Sequence, residues 1–484
     1  MSARSVASPQ SSCRFGVAVG DATPPVGIYH RMWGAARHDR STGVHRPLRT
    51  TAMSFAPLGD RGPGEAERLL VAIDQCILGN EELGRIVGSI VERTGLPPEC
   101  VAISCSHTHA AGLLSLERSR LPGGEFIAPY LDDLARTCGE LAARARGDAE
   151  PVRIAYGTGR CDLAAHRDYR DAERGGYVVG FDPDGEPDDT VLVARVENLG
   201  GAVRATIVNY ACHPTTLAWD NTLISPDYPG AMRETVEAAS GAPCVFLQGA
   251  SGELGPREGF VGDVAVADRN GRQLGHAALA TLAGTPPAGT RYEYAGVVES
   301  GTAIGTWRYA RGDESAERQA RSWSAWRGDI PLPYRTDLKP LPEVADELQR
   351  LERSEAAARA GGDAESAQRF RVLAERCRRE FTRRKGLPAG ELYPWQVSIW
   401  RIGDAVWLCA QGEAYSLLQT ELRRRFPKTP IVVASLGFSW DVAYLPPASC
   451  YDEPRYQTQV AILAAGALER GIDELAGRLE QLLR

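Results

Sequence analysis

The chain has 484 residues, 43% of them hydrophobic and 24% charged, enough for one large α/β unit with insertions or two to three ordinary domains. A net charge of −7, with arginine interleaved among acids instead of gathered in a block, argues against a nucleic-acid partner. Eleven cysteines, without C-x-x-C spacing and several within apolar runs, argue against a disulfide framework or a cysteine-rich zinc site.

Residues 1–14 are expected to be disordered, and residues 15–484 to form one domain. The N-terminal stretch has no apolar core of signal-peptide length, and no run approaches the ~18 apolar residues of a spanning helix. A cytoplasmic protein without stable membrane insertion is therefore expected. From Phe15 to about Ser300, short apolar runs alternate with amphipathic stretches, which is α/β patterning with room for mixed strand pairing. "LLVAIDQCIL" and "CVAISCS" read as strands, with a helix between them over "NEELGRIVGSIVERTG". Its apolar residues Leu83, Ile86, Val87, Ile90 and Val91 recur at helical spacing, and Gly95 before Pro97–Pro98 stops it. "VLVARVEN", "VRATIVNYAC" and "PCVFLQGA" follow as strands. Between about 308 and 385 the composition turns charged, and the spacing predicts a helical insertion broken at Gly361–Gly362. A solvated hairpin is the plain reading; a lid or a dimer contact is the alternative. Strands return with "WQVSIWRIGDAVWLCA" and "PIVVASLG" before a helical C-terminus.

Polar clusters sit at the ends of these strands. "VAISCS" runs into His107–Thr108–His109, "ATIVNYAC" into His213, "CVFLQGA" into Ser251–Gly252–Glu253, and "AVWLCAQ" into Gly412–Glu413. "IVVASLG" leads on to Ser439–Trp440–Asp441 and Tyr444. Ligands gather beyond the carboxyl ends of strands in open α/β sheets, so these clusters can converge on one cleft. Imidazole and carboxylate together suit a catalytic zinc site. His107 and His109, two apart, would face the same side of an extended segment, one for metal and one for substrate. A strand-end histidine is also commonly a satisfied structural group, and the pattern alone leaves both readings open.

Taken in order, these segments resemble the catalytic domain of the neutral, non-lysosomal ceramidase family. "GVAVGDATPPVG" is similar to that family's "G-D-x-T-P-P-x-G", "TGVHRPLRTTAM" to "G-[IV]-H-x-x-x-x-A", and "CSHTHAAG" to "T-H-T-H-S-G". "NYACHPTTL" with "ISPDYPGAM" resembles its histidine-bearing strand end and "I-S-x-D-x-x-G", and "GEAYS" falls where it carries "G-E-F-T". The resemblance runs nearly end to end. It implies a mixed-sheet α/β catalytic domain with a charged helical insertion, Zn2+ as cofactor, and cleavage of an N-acyl amide by metal-activated water. It implies His107, His213, Glu413 and Tyr444 as zinc ligands, the last in "AYLP". It also implies His109 facing the substrate, Arg167 helping to hold the oxyanion with Arg170 as its alternative, and Tyr456, twelve positions beyond Tyr444, as a second active-site phenol. His45 reads as structural, and Asp227 as fixing a loop or supporting His213.

Two departures bear on mechanism. Where the family has "G-D-V-S-P" this chain has "GELGP", placing Glu253 at the aspartate and Gly255 at the serine, so no serine nucleophile carries over. Asp441 stands at the first tyrosine of the family's "Y-x-x-Y". The chain ends at Arg484 soon after that motif, and the family's C-terminal immunoglobulin-like domain is not expected. An ester or natural-product amide hydrolase, or a non-catalytic binding protein of the same fold, are the alternatives. A metallo-phosphoesterase would need more Asp and His ligands.

Overall fold

Strands buried along their whole length need cover on both faces, and this fold supplies a layer for each. The computed structural model describes residues 4–59 and 67–484. The larger sheet comprises β1 (Gln10–Asp21), β2 (Arg49–Ala56), β3 (Arg68–Ile73), β4 (Val101–Cys105), β5 (Glu150–Arg160), β6 (Thr190–Asn198), β7 (Val203–Tyr210) and β8 (Cys244–Gln248). Its order is β8-β7-β6-β5-β1-β2-β3-β4. Pairing is antiparallel except for β3/β4 and β7/β8, which are parallel. A second sheet, β9 (Trp323–Pro333), β10 (Leu392–Ile402), β11 (Ala405–Ala410) and β12 (Ile431–Ala434), lies in that order, with β11/β12 parallel. The mixed α/β class read from the sequence is the class found.

Period-two alternation sorts the side chains into layers. In β3, Leu69 and Val71 pack with α1 (Asn80–Thr94) and α2 (Ile127–Gly147), whereas Leu70 joins Trp400 and Trp407 between the two sheets. Val193 and Val208 meet α3 (Tyr228–Ser240) and α4 (Val264–Gly284) on the same outer side. The far face of the second sheet, with Val397, Ile399 and Leu408, packs against the C-terminal helix Ala467–Leu483. The result is four layers, helix–sheet–sheet–helix. In α1, Ile86 and Ile90 are fully buried, each contributing roughly 1.5–3 kcal/mol, and Gly95 ends the helix in the left-handed conformation at φ 69°.

The larger sheet curls until its two edges approach one residue of the second sheet. Ser435, just after β12, donates its N–H to the Gln248 carbonyl of β8 at 2.9 Å. Its own carbonyl accepts from the Ser104 hydroxyl of β4 at 3.1 Å. The ends of β4, β8 and β12 are thereby gathered at one place.

Four expectations are corrected. The N-terminal residues 4–14 are ordered: Ser5–Ala7 pairs with the strand Thr290–Glu299, and Gln10–Phe15 pairs with β5, burying Cys13. Residues 1–3 lie outside the described residues. "LLVAIDQCIL" is not one strand; β3 stops at Ile73, and Asp74 turns away to accept from the Arg49 N–H and pair with Arg233. The stretch 308–385 is not helical throughout: after a seven-residue helix, Glu314–Ala320, its helices are α5 (Leu341–Ala360) and α6 (Ala364–Arg384). Residues 323–333 are instead the edge strand β9, paired with β10 along its length, and a half-exposed edge strand carries as much charge as a surface helix. Nor is the hairpin solvated throughout. Glu375 of α6 is buried and takes a two-bonded Arg118 guanidinium at 2.7 and 3.2 Å, and Arg371 pairs with Asp39.

Candidate active site

Five strand ends meet on one side of the sheets. His107 follows β4, His213 follows β7, Ser251–Glu253 follow β8, Glu413 follows β11 and Tyr444 follows β12. Glu413 and Tyr444 are direct partners in a two-residue parallel pair, with the Glu413 N–H also bound to the Ala443 carbonyl at 2.7 Å. His107, at φ 68°, and Ala443, at φ 52°, lie in the left-handed region that side chains disfavour. The bend at His107 corrects the extended geometry expected of "HTH". The two imidazoles nevertheless converge, Nε2 to Nε2 at 3.4 Å, because the chain turns between them.

The Nδ1 of His107 lies 2.8 Å from the Cys76 carbonyl, and that of His213 lies 2.8 Å from the Ser251 carbonyl and 3.0 Å from that of Leu254. A carbonyl only accepts, so each Nδ1 carries a proton, and in the neutral ring each Nε2 presents a lone pair. Both Nε2 atoms face one oxygen of Glu413, at 3.2 Å from His107 and 3.0 Å from His213. The other Glu413 oxygen accepts from the Trp440 indole N–H at 3.3 Å. The two Nε2 atoms and the Glu413 oxygen lie buried within 4.8 Å of one another, an arrangement that could hold a metal ion.

Burial alone would lower the pKa of His107, but Cys76 and Glu413 push it well above its ordinary value. Burial would raise Glu413, yet the charge of His107 and hydrogen bonds from both histidines hold it well below the usual carboxylate range. His213 is pulled down to about 3 by burial and by the Arg167 charge, against the opposing effect of Glu413.

Cys76, His107 and His109 form a second group of close donors. Cys76 meets His107 at Nδ1, 3.6 Å away, whereas His109 meets it at Nε2. Since Nδ1 is committed to a carbonyl, the His107–His213–Glu413 group is the better metal site.

Arg167 is buried and its Nη2 spans the site, 2.6 Å from the Gly252 carbonyl, 3.2 Å from the Tyr444 hydroxyl and 3.2 Å from His213 Nε2. Its Nε has no hydrogen-bond partner among the described residues. Arg170, the alternative, is exposed and pairs with Glu453, so Arg167 is the arginine at the cluster. The Tyr444 ring stacks on His213 at 6.4 Å between centroids, and Tyr456 sits edge-on to Tyr444 at 5.7 Å, 45% exposed at the rim. His109 packs against Trp33, whose ring also meets Trp219 and Phe260. All seven predicted site residues thus lie together.

His45 is elsewhere, bound to Ser225 and Asp268. Asp227, at φ 58°, accepts from the Leu217 and Tyr228 N–H groups and braces the loop after His213, as expected. Gly255 borders the site: a Cβ there would meet Arg167 Cδ and Thr215 Oγ1 at an ordinary 3.7 Å. Asp441 turns from the cluster to Asn80 and Ser439. The sequence did not single out Trp33, a lone aromatic in an irregular loop with no period to mark it. Trp440 stood within a recognised strand-end cluster, but nothing there signalled its bond to Glu413.

No family model matches the chain, and no curated protein matches it. Solved structures do. A neutral ceramidase from Pseudomonas aeruginosa superposes with a TM-score of 0.64 at 15% identity, over 97% of this chain and 74% of that one. A structure described as a ceramidase complexed with C2 gives 0.63 at 16% identity, over 98% and 76%. At such low identity the likeness speaks to architecture alone, and nearly the whole of this chain takes part in it: the protein has the neutral ceramidase fold.

Proposed function

We propose that the protein is a zinc-dependent amidohydrolase that cleaves an N-acyl amide, ceramide-like or smaller. The observation that carries this reading is the convergence of His107 Nε2, His213 Nε2 and a Glu413 oxygen, each oriented by a second partner, beside Tyr444 and an arginine with a free Nε. His107, His213, Glu413 and Tyr444 would hold the ion. When bound there, zinc supplies Lewis acidity and lowers the pKa of water from 15.7 towards about 7.

The chain's own residues do the rest. As water adds to the amide carbon, His109 accepts its proton and returns it to the departing amine nitrogen. The Arg167 Nε–H and the Tyr456 hydroxyl donate to the carbonyl oxygen as it becomes an oxyanion, each preorganised donor contributing about 2.7–4 kcal/mol. Trp33, Trp219 and Phe260 give the mouth beside His109 an apolar wall for the substrate. Gly255 leaves no hydroxyl at its position, which favours water over an enzyme nucleophile.

All eleven cysteines are free thiols, which supports a reducing, cytoplasmic setting. No helix among the described residues is long and apolar enough to cross a membrane. As substrate we propose a soluble or amphiphilic amide in preference to ceramide held in a bilayer. Chelation followed by zinc add-back tests the reading, with His213→Ala beside it. Loss and recovery of hydrolysis is the expected result. Equal turnover of long-chain ceramide and short N-acyl amines would count against the substrate preference.

A further inference from the structure

Beside the proposed metal ligands, α6 closes a cavity of about 280 Å3 against the segment following "CSHTHAAG" and the start of α1. Ile77, Leu113, Leu114 and Trp440 give it an apolar wall. Five cations line it together with the carboxylates of Glu81, Glu82, Glu117 and Asp441, and four of the cations are paired within the protein. Arg118 and Arg379 bind Glu375, each at 2.7 Å, Arg378 binds Glu375 at 3.0 Å and Glu352 at 2.8 Å, and Lys385 binds Glu117.

Arg383 is the fifth. It is 5% exposed, and among the described residues no carboxylate pairs with it. Its Nη2 donates to the Val460 carbonyl at 2.9 Å, and its Nε has no partner among the described residues. The guanidinium lies 5.3 Å over the Trp440 ring, which offers part of a counter-charge but no lone pair for the Nε–H. A guanidinium keeps its charge in any such setting, and leaving one buried and unpaired is costly. The indole places it well for the reaction: Arg383 stands over the ring whose N–H holds Glu413.

We propose that Arg383 receives a carboxylate carried by the substrate, so that the amide cleaved here is an acidic one, of the N-acyl amino acid class or its counterpart with the acid on the acyl half. The planar edge of the guanidinium at Nε matches a carboxylate, which takes two parallel hydrogen bonds from such an edge. The apolar wall takes the hydrocarbon between acid and amide. The inference rests on the amidase reading for the bond that is cut, but not for the recognition itself. It gives α6 a part in the site, as the element that selects the substrate.

Three amides of equal chain length test it: N-octanoylglycine, the mono-ethanolamide of octanedioic acid, and neutral N-octanoylethanolamine. For zinc-loaded protein, one of the two acids is expected to exceed the neutral amide by about 10- to 100-fold in kcat/KM, the range of a charged, two-bonded contact. Arg383→Met is expected to erase that preference through KM, and Arg383→Lys to restore only part of it. A neutral amide cut as well as both acids, or an Arg383→Met loss equal on all three, overturns the inference and leaves the amidase intact. If none of the three is cut, thermal shift decides. Acids that raise Tm in the wild type but not in Arg383→Met keep carboxylate recognition and remove the amidase; equal shifts remove both.

Discussion

His107 and His213, which lie 106 positions apart in sequence, direct their Nε2 atoms at the same oxygen of Glu413, at 3.2 and 3.0 Å. Neither imidazole is free to rotate away, because each Nδ1 is tied to a main-chain carbonyl. The three donors are thus set before any ion arrives, and the cost of ordering them is met in folding.

Trp440 tunes this arrangement through its indole N–H on the second oxygen of Glu413. Trp440→Phe keeps the ring stack under Arg383 and deletes that hydrogen bond. Zinc affinity should fall about 10- to 100-fold, as for other partners of metal ligands. Competition against a zinc indicator dye measures it. Unchanged affinity would show that the carboxylate needs no support from the indole.

Arg167 is the donor closest to both Tyr444 and His213. Arg167→Met should lower kcat by about 10²–10³, the cost of one missing oxyanion donor. Arg167→Lys should recover little, since an ammonium cannot reach the Gly252 carbonyl and the substrate at once. Steady-state kinetics on any cleaved amide gives the answer, and a change confined to KM would place Arg167 in binding alone.

The anchor of α6 is titratable. Burial alone would raise the pKa of Glu375, but Arg379 and Arg118 hold it well below the ordinary 4.5. A carboxylate depressed in the folded state contributes stability above its unfolded pKa and loses it as pH falls through the folded one. Glu375→Gln should therefore destabilise the protein at pH 7 by about 3–5 kcal/mol, because Arg118 is left buried without its partner. The gap between variant and wild type should hold down to about pH 4.5 and narrow below it. Chemical denaturation across pH reads this directly. A gap that widened with acid would reverse the assigned sign.

The sequence made the layers and the strand ends legible for a physical reason. The unbroken apolar run of β3 and the helical spacing in α1 are local signals, and His107, His213 and Glu413 each sit where an apolar run stops. Several things depended on neighbours distant in sequence and were not legible. The order of residues 4–14 comes from pairing with β5 and the strand Thr290–Glu299. The strand Trp323–Pro333 was hidden by its charge, and it is the register with β10 that makes it a strand. The bend at His107 is imposed from outside too, its N–H held by the Gln75 carbonyl at 2.9 Å. Roles for Tyr444, Arg167 and Tyr456 came from resemblance, and the fold brings the three to one place without assigning their chemistry.

In the proposed mechanism hydrolysis depends on one ion held by His107, His213, Glu413 and Tyr444. Titration of zinc into chelator-stripped protein, with amide cleavage and bound metal read on the same samples, tests it most directly. Activity should rise from near zero to a plateau at about one zinc per chain, and His213→Ala should neither bind the ion nor gain activity. Full activity in the stripped protein, or a plateau reached without bound metal, would overturn the proposed zinc dependence.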